Sequence, residues 1–393
     1  MNKKYGINVK RIIIISALFV FAVNSVYAQL TVSGILDSTV SFSASTGDSD
    51  TLQNFSMGIE EFANIRFQAK RENYSVYGAV NLLAASGDYA SNAARMAYLN
   101  TASSLASTSY VSGDNYVAAI ELERLYFRLI GEYTNFDGGL MRLPFGYGQV
   151  WGSSDFLNPK NPLKPDARPR GILGAAFSWF PVDEIKLLMF YSAPRYAFSK
   201  DGRGSFAGLS LDRHWNKISI QSLYSYETPD AGYKYGIHRI GQSIKADIKM
   251  NENFEFGLIM DALYTYNHEA ETAQDGLSFS AGIDYSFFKG RLIFLTEYLF
   301  NGENSSTAYD PQKNILGSAN EHNIYTGFTL RFSDFTNLIT AFIFSFADVS
   351  YTPLITLNHE LFQGASLIIA AQAPFENNSF YGVNLTARIR LRF

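Results

Sequence analysis

Arg388, Arg390 and Arg392 take every second place in the closing segment Y-G-V-N-L-T-A-R-I-R-L-R-F, residues 381–393. Side chains on a strand alternate faces, so this spacing sets three guanidinium groups along one wall and Tyr381, Val383, Leu385, Ala387, Ile389 and Leu391 along the other. The same alternation, with strand order closing the last strand onto the first, adds Arg66, Lys70, Arg124, Arg128 and Arg142 to one continuous basic wall. Nine strands away it collects an acidic wall of Glu255, Asp261, Asp284 and Glu297. Counted from the turns, Arg66, Arg124, Arg142 and Arg388 fall near one level, with Asp261 and Glu297 facing them. Such an array does electrostatic chemistry. Opposed rows across a wet space create a transverse field that orients dipolar solutes and disfavours apolar ones. The plainer alternative is that the same charges pair locally along the wall.

Nothing else in the chain selects a catalytic set. The five histidines, His214, His238, His268, His322 and His359, lie outside any G-x-S-x-G or H-E-x-x-H arrangement, so no enzyme is expected. There is no cysteine, which excludes a disulfide framework and a thiolate metal site. Acidic pairs such as Asp48 with Asp50, or Glu303 near Asn301, read as solvated charge, and neither metal nor cofactor is expected.

Positioning such walls requires many strands, and the composition supplies them. Residues 1–28 carry Lys3, Lys4, Lys10 and Arg11, an apolar run from Ile12 to Val23, and small residues at Val26-Tyr27-Ala28, the pattern of a secretory leader cleaved near Ala28. Twelve apolar residues are too few for a helix across ~30 Å of hydrocarbon. Removal of the leader leaves 28 basic against 36 acidic side chains, a net charge of −8 that argues against nucleic acid. From 29 to 393 the chain reads as one all-β unit of about eighteen period-two segments, with sixteen as the alternative count. Eight connections are tight, among them Arg71-Glu72-Asn73, Trp215-Asn216-Lys217 and Phe362-Gln363. Nine others are mostly longer, including 44–60, 86–117, 144–170 and 302–321. Aromatic residues flank nearly every tight turn, and 32 Phe with 25 Tyr exceed what a soluble protein of this polarity needs. The pattern predicts a transmembrane antiparallel β-barrel with short periplasmic turns, long extracellular loops and interface girdles. A soluble sandwich would turn its oily face inward and would not place aromatics at both strand ends.

Two long connections could enter the lumen. Residues 86–117 are rich in Ala and Ser, and Ser91 to Ala106 could form a short helix. Residues 144–170 carry prolines at 144, 159, 162, 165 and 169, which forbid ladder pairing and stiffen a fold-back.

The closing strand with its terminal Phe393 resembles the last strand of bacterial outer-membrane β-barrels. Glu123 and Tyr126, then Arg142, then Trp151, Gly152, Asp155, Asn158 and Pro159 resemble a broad group of Gram-negative porin-like barrels, although Leu143 and Pro144 replace the usual residues after the arginine. The resemblance implies an outer-membrane channel for passive diffusion of small hydrophilic solutes. It also implies Phe393 as the signal read by the barrel-assembly machinery, and Trp151, Gly152, Asp155, Asn158 and Pro159 as part of a constriction loop. Lipid and lipopolysaccharide would surround it, as a homotrimer or a monomer. The alternatives are a surface adhesin with a blocked lumen and a transporter of hydrophobic substrates. The latter is weakened because the first strand begins almost at Gln29, leaving no room for an N-terminal hatch.

Overall fold

The computed structural model describes residues 29–46, 52–87, 108–113, 115–158, 171–193, 204–229, 236–251, 254–267, 276–302, 322–346, 349–376 and 379–393. The leader, the helix expected across Ser91–Ala106, Pro159 and most of 302–321 lie outside these residues.

Eighteen strands form the staves. They are β1 (Gln29–Thr46), β2 (Leu52–Lys70), β3 (Tyr74–Gly87), β5 (Tyr116–Ile130), β6 (Thr134–Met141), β7 (Ile172–Val182), β8 (Ile185–Ser192), β9 (Phe206–Trp215) and β10 (Ile218–Glu227), followed by β11 (Ile237–Asn251), β12 (Phe254–Asn267), β13 (Leu277–Phe287), β14 (Leu292–Asn301), β15 (His322–Arg331), β16 (Thr336–Ser345), β17 (Ser350–Phe362), β18 (Ala365–Gln372) and β21 (Gly382–Arg392). Each pairs antiparallel with its neighbours, and β21 pairs with β1, so the sheet closes. Three short strands add ribbons at the long-loop end: β4 (Thr108–Ser112) on β5, and β19 (Phe375–Glu376) with β20 (Ser379–Phe380). Closure leaves no sheet edge around the barrel, so the backbone donors and acceptors of the staves find partners without water.

The faces alternate as expected. On β21, Leu385, Ile389 and Leu391 are 40–50% exposed on the outside, while Arg388 and Arg390 point inward and are less exposed. Trp179, Trp215, Phe287, Phe332, Phe335, Phe362 and Phe393 stand exposed around the tight-turn end, forming the expected ring. The connection expected over 44–60 is much shorter: Phe55, Met57 and Ile59 continue the outward alternation, so β2 starts at Leu52.

The seam is locked by the last residue. Phe393 accepts a hydrogen bond from Gly34 N at 2.8 Å and donates one to Gly34 O at 3.2 Å. Its ring lies against Gly34, where a Cβ would meet the ring at 2.4 Å, so the aromatic covers the backbone that the glycine leaves bare. Deleting Phe393 removes both bonds and the ring, and the expected result is less folded, heat-modifiable protein in the membrane fraction. Unchanged amounts would separate this residue from assembly.

Candidate functional site: the infolded loop and the arginine wall

The residues after β6 do not continue the sheet. Segment 142–158 turns into the lumen and lies against the inner faces of β8 to β16. Six successive backbone N–H groups find acceptors there. Gly146 donates to Gln221 Oε1 at 2.6 Å, and Tyr147 and Gly148 donate to the two oxygens of Asp261 at 2.9 and 2.8 Å. Gln149 and Val150 donate to Glu297 Oε2 at 2.9 and 3.0 Å, and Trp151 to Oε1 at 3.0 Å. The Gln149 side chain reaches Asp284 at 2.7 Å. Gly146, at φ +77°, and Gly148 are required by the close approach, since a Cβ on either would meet Asp261 Oδ2 at 2.6 or 2.9 Å.

Five charge-assisted bonds to two carboxylates are a strong fastening, and they explain why acidic groups can be 1% exposed at Asp261 and Glu297. These two residues were expected to face open water opposite the arginines. They are instead covered by the loop, their charge spent on its N–H groups. Glu255, the fourth acidic position, sits at the tight-turn rim paired with Lys217, both side chains substantially exposed. Asp284 keeps a partly exposed position inside the lumen, beneath Gln149.

Apolar anchors hold the loop at both ends. Val150 and Trp151 pack with Leu299 and Ile343, and the Trp151 ring meets Tyr325 edge-on at 6.4 Å. Leu143, Phe145 and Leu157 join Leu188, Phe190, Phe206 and Leu223 in a buried cluster, with Phe145 5.1 Å from Phe190. The remaining expected constriction residues fasten the loop to itself. Asp155 N donates to Gly152 O at 2.9 Å, and Asp155 Oδ1 accepts from Asn158 N at 3.2 Å. Asn158 Oδ1 accepts from Leu143 N at 3.0 Å, and Arg142 lies 3.8 Å from Asp155. Trp151, Gly152, Asp155 and Asn158 therefore shape the loop and are buried within it. Tyr147, half-buried near Asp212 and Asp261, has its phenol pushed up to about 12, chiefly by loss of solvent, so it adds no charge to the lumen.

The facing wall is basic and partly paired. Arg390 grips Asp37 with two bonds of 2.8 Å, and Arg128 grips Asp137 at 2.6 and 3.0 Å. Arg388 donates to Thr39 Oγ1 at 3.2 Å, and Arg66 to Asn64 Oδ1 at 2.7 Å. Local pairing thus accounts for Arg128 and Arg390. Lys70 and Arg392 stand exposed at the tight-turn rim. Arg124, Arg388 and Arg142 lie 3.4, 3.8 and 3.8 Å from Glu123, Asp37 and Asp155, and with side-chain exposures of 21%, 25% and 27% they stay partly open to the lumen.

Face alternation missed Glu121 and Glu123. The register of β3 with β5 runs Ala79↔Arg124 and then Val80↔Leu122, so Glu123 is an extra residue, a β-bulge. Glu123 and Arg124 therefore share the inner side, 3.4 Å apart, and Glu123 accepts from Asn64 at 2.6 Å. Asn64 also donates to Asn81, which donates to Glu121 at 3.0 Å. The signal for the bulge is in the sequence: outward apolar residues Leu122 and Leu125 stand three apart instead of two.

No protein-family model and no curated protein sequence matches the chain. Solved structures do match it. OccAB4 of Acinetobacter baumannii is 8% identical, with TM-score 0.60 over 93% of this chain and 98% of that one. Pseudomonas aeruginosa OpdQ is 10% identical, with TM-score 0.57 over 93% and 98%. The outer membrane protein OpdK of Pseudomonas aeruginosa is 8% identical, with TM-score 0.56 over 93% and 98%, and has also been solved with vanillate. At these identities the likeness is one of fold: an eighteen-stranded barrel of the kind found in an outer membrane protein.

Proposed function

We propose that the chain is an outer-membrane channel for passive diffusion of small hydrophilic solutes, narrowed by segment 142–158 and favouring solutes that carry negative charge. The observation that carries this is the unequal exposure of the two walls. Asp261 and Glu297 are 1% exposed, while Arg124, Arg388 and Arg142 retain 21–27%. The loop therefore covers the carboxylates on one side of the constriction and leaves arginine side chains partly exposed on the other. Eighteen strands enclose a lumen wide enough to stay wet, unlike an eight-stranded barrel filled by its side chains. The vanillate in the OpdK structure is a carboxylate and is compatible with a basic wall of this kind. Refolded protein in a planar bilayer should conduct, with a zero-current potential in a salt gradient displaced toward the anion side. Protein that never opens would sink the channel, and a cation-side potential would sink the charge preference.

A further inference from the structure

We infer that the outer face around Glu61 is a contact between two copies of this chain. Glu61 lies on β2 with its side chain outward and exposed, between inward-facing Glu60 and Phe62. It is six residues from Phe67, whose ring covers Gly78 near the tight-turn end, and six from Phe55, which meets Phe42 at 5.9 Å toward the other end. These aromatics bound the apolar band, so the carboxyl sits midway, with about 12 Å of hydrocarbon on each side in a band ~25 Å tall. Among the described residues, no other Asp, Glu, Lys or Arg faces outward at this depth. Arg213, which also faces out, sits at the girdle over the Trp215 ring.

Ser38 donates to Glu61 Oε1 at 2.7 Å. Elsewhere on the outer wall, polar side chains at this depth are neutral and also bond within the sheet: Ser222 donates to Gln242 at 2.8 Å, and Thr296 to Tyr325 O at 2.9 Å. Glu61 differs because one hydroxyl does not satisfy a carboxyl. An anion there is costly, and the protonated form carries an O–H that hydrocarbon cannot accept. A glutamate side chain is too short to reach the headgroups from mid-band. The group that completes it must therefore arrive at the same depth on another protein surface.

The surroundings suit close approach. Ala63, Ala84 and Ala118 face outward beside Glu61 on three neighbouring strands. Small residues let backbones come together in a bilayer. A two-fold axis along the bilayer normal brings Glu61 of both copies to one depth, where two carboxyl groups hold protons between them and each serves as donor and acceptor for the other. A second copy is thus self-sufficient, whereas any other partner would have to supply a matching group at this level.

This inference rests on the barrel lying in a bilayer, and its test does not depend on conductance. The chain contains no cysteine, so single-cysteine variants report cleanly. A84C lies next to Glu61 by register, and M260C is an exposed control on the far wall. Treated in native outer membrane with a short bis-maleimide, A84C should give a product of twice the chain mass and M260C should not. Adding E61L to A84C should lower the yield about tenfold, the factor for an interhelical-type hydrogen-bonded contact of ordinary strength in a membrane, while E61Q, whose amides can pair reciprocally, should keep it. Heat-modifiability checks folding, and the comparison of A84C with M260C stands even if E61L does not fold. No product at A84C, equal yield at M260C, a product of any other mass, or an unchanged yield with E61L would each overturn the contact.

Discussion

Replacing residues 144–158 by a short Gly/Ser linker is expected to raise single-channel conductance about twofold or more, because strand number alone would then set the lumen width. The loop is not a flap resting in the mouth. It spends its backbone donors on Gln221, Asp261 and Glu297 and seats Trp151 and Phe145 in separate apolar clusters on the wall. A milder variant reaches the same latch: E297A strips the acceptor from three backbone N–H groups, each costing about 1–3 kcal/mol when left buried without a partner. Its traces should show transitions between the wild-type level and a wider one. A conductance and size cutoff unchanged by the linker would place the loop outside the conducting path.

The staves could be read from the chain because a barrel in lipid obeys a strict rule. Most outward positions are apolar and inward ones are free to be polar, so period two is legible along nearly every stave. Tight turns cannot hide when aromatics flank them. The loop's entry into the lumen followed from prolines that forbid a ladder. What it would touch did not, because Asp261 and Glu297 look the same in sequence whether they face water or a row of N–H groups. The inward placement of Glu123 escaped for another reason. Alternation counted from Arg128 fails above the bulge, and a single extra residue reverses every side chain beyond it. Asp37 was equally hidden, since its partner Arg390 lies 353 residues along the chain and meets it only through closure of β21 on β1. Pairing across a seam has no local signature.

Neutralising Arg124 and Arg388 together should move the zero-current potential toward cations without closing the pore. Both keep side-chain exposure to the lumen, and neither forms the two-pronged carboxylate grip of Arg128 or Arg390. Glutamine is the better replacement than glutamate. At Arg124 a new carboxylate would stand beside Glu123, and at Arg388 it would stand near Asp37, so folding would suffer along with charge. Arg142 is left in place because it lies 3.8 Å from Asp155 and helps shape the loop, which would mix selectivity with width. A unit charge ~6 Å from a passing ion in a water-like medium attracts an anion and repels a cation by roughly 0.7 kcal/mol each, so each removal should lower the anion-to-cation permeability ratio about tenfold at low salt. Screening weakens the effect once the Debye length falls below the pore radius, so the shift should shrink from 0.1 M toward 1 M salt, over which that length drops from about 10 to 3 Å. A double variant that folds, conducts at the wild-type level and keeps its potential would show that the narrow passage runs elsewhere than between these arginines and the loop.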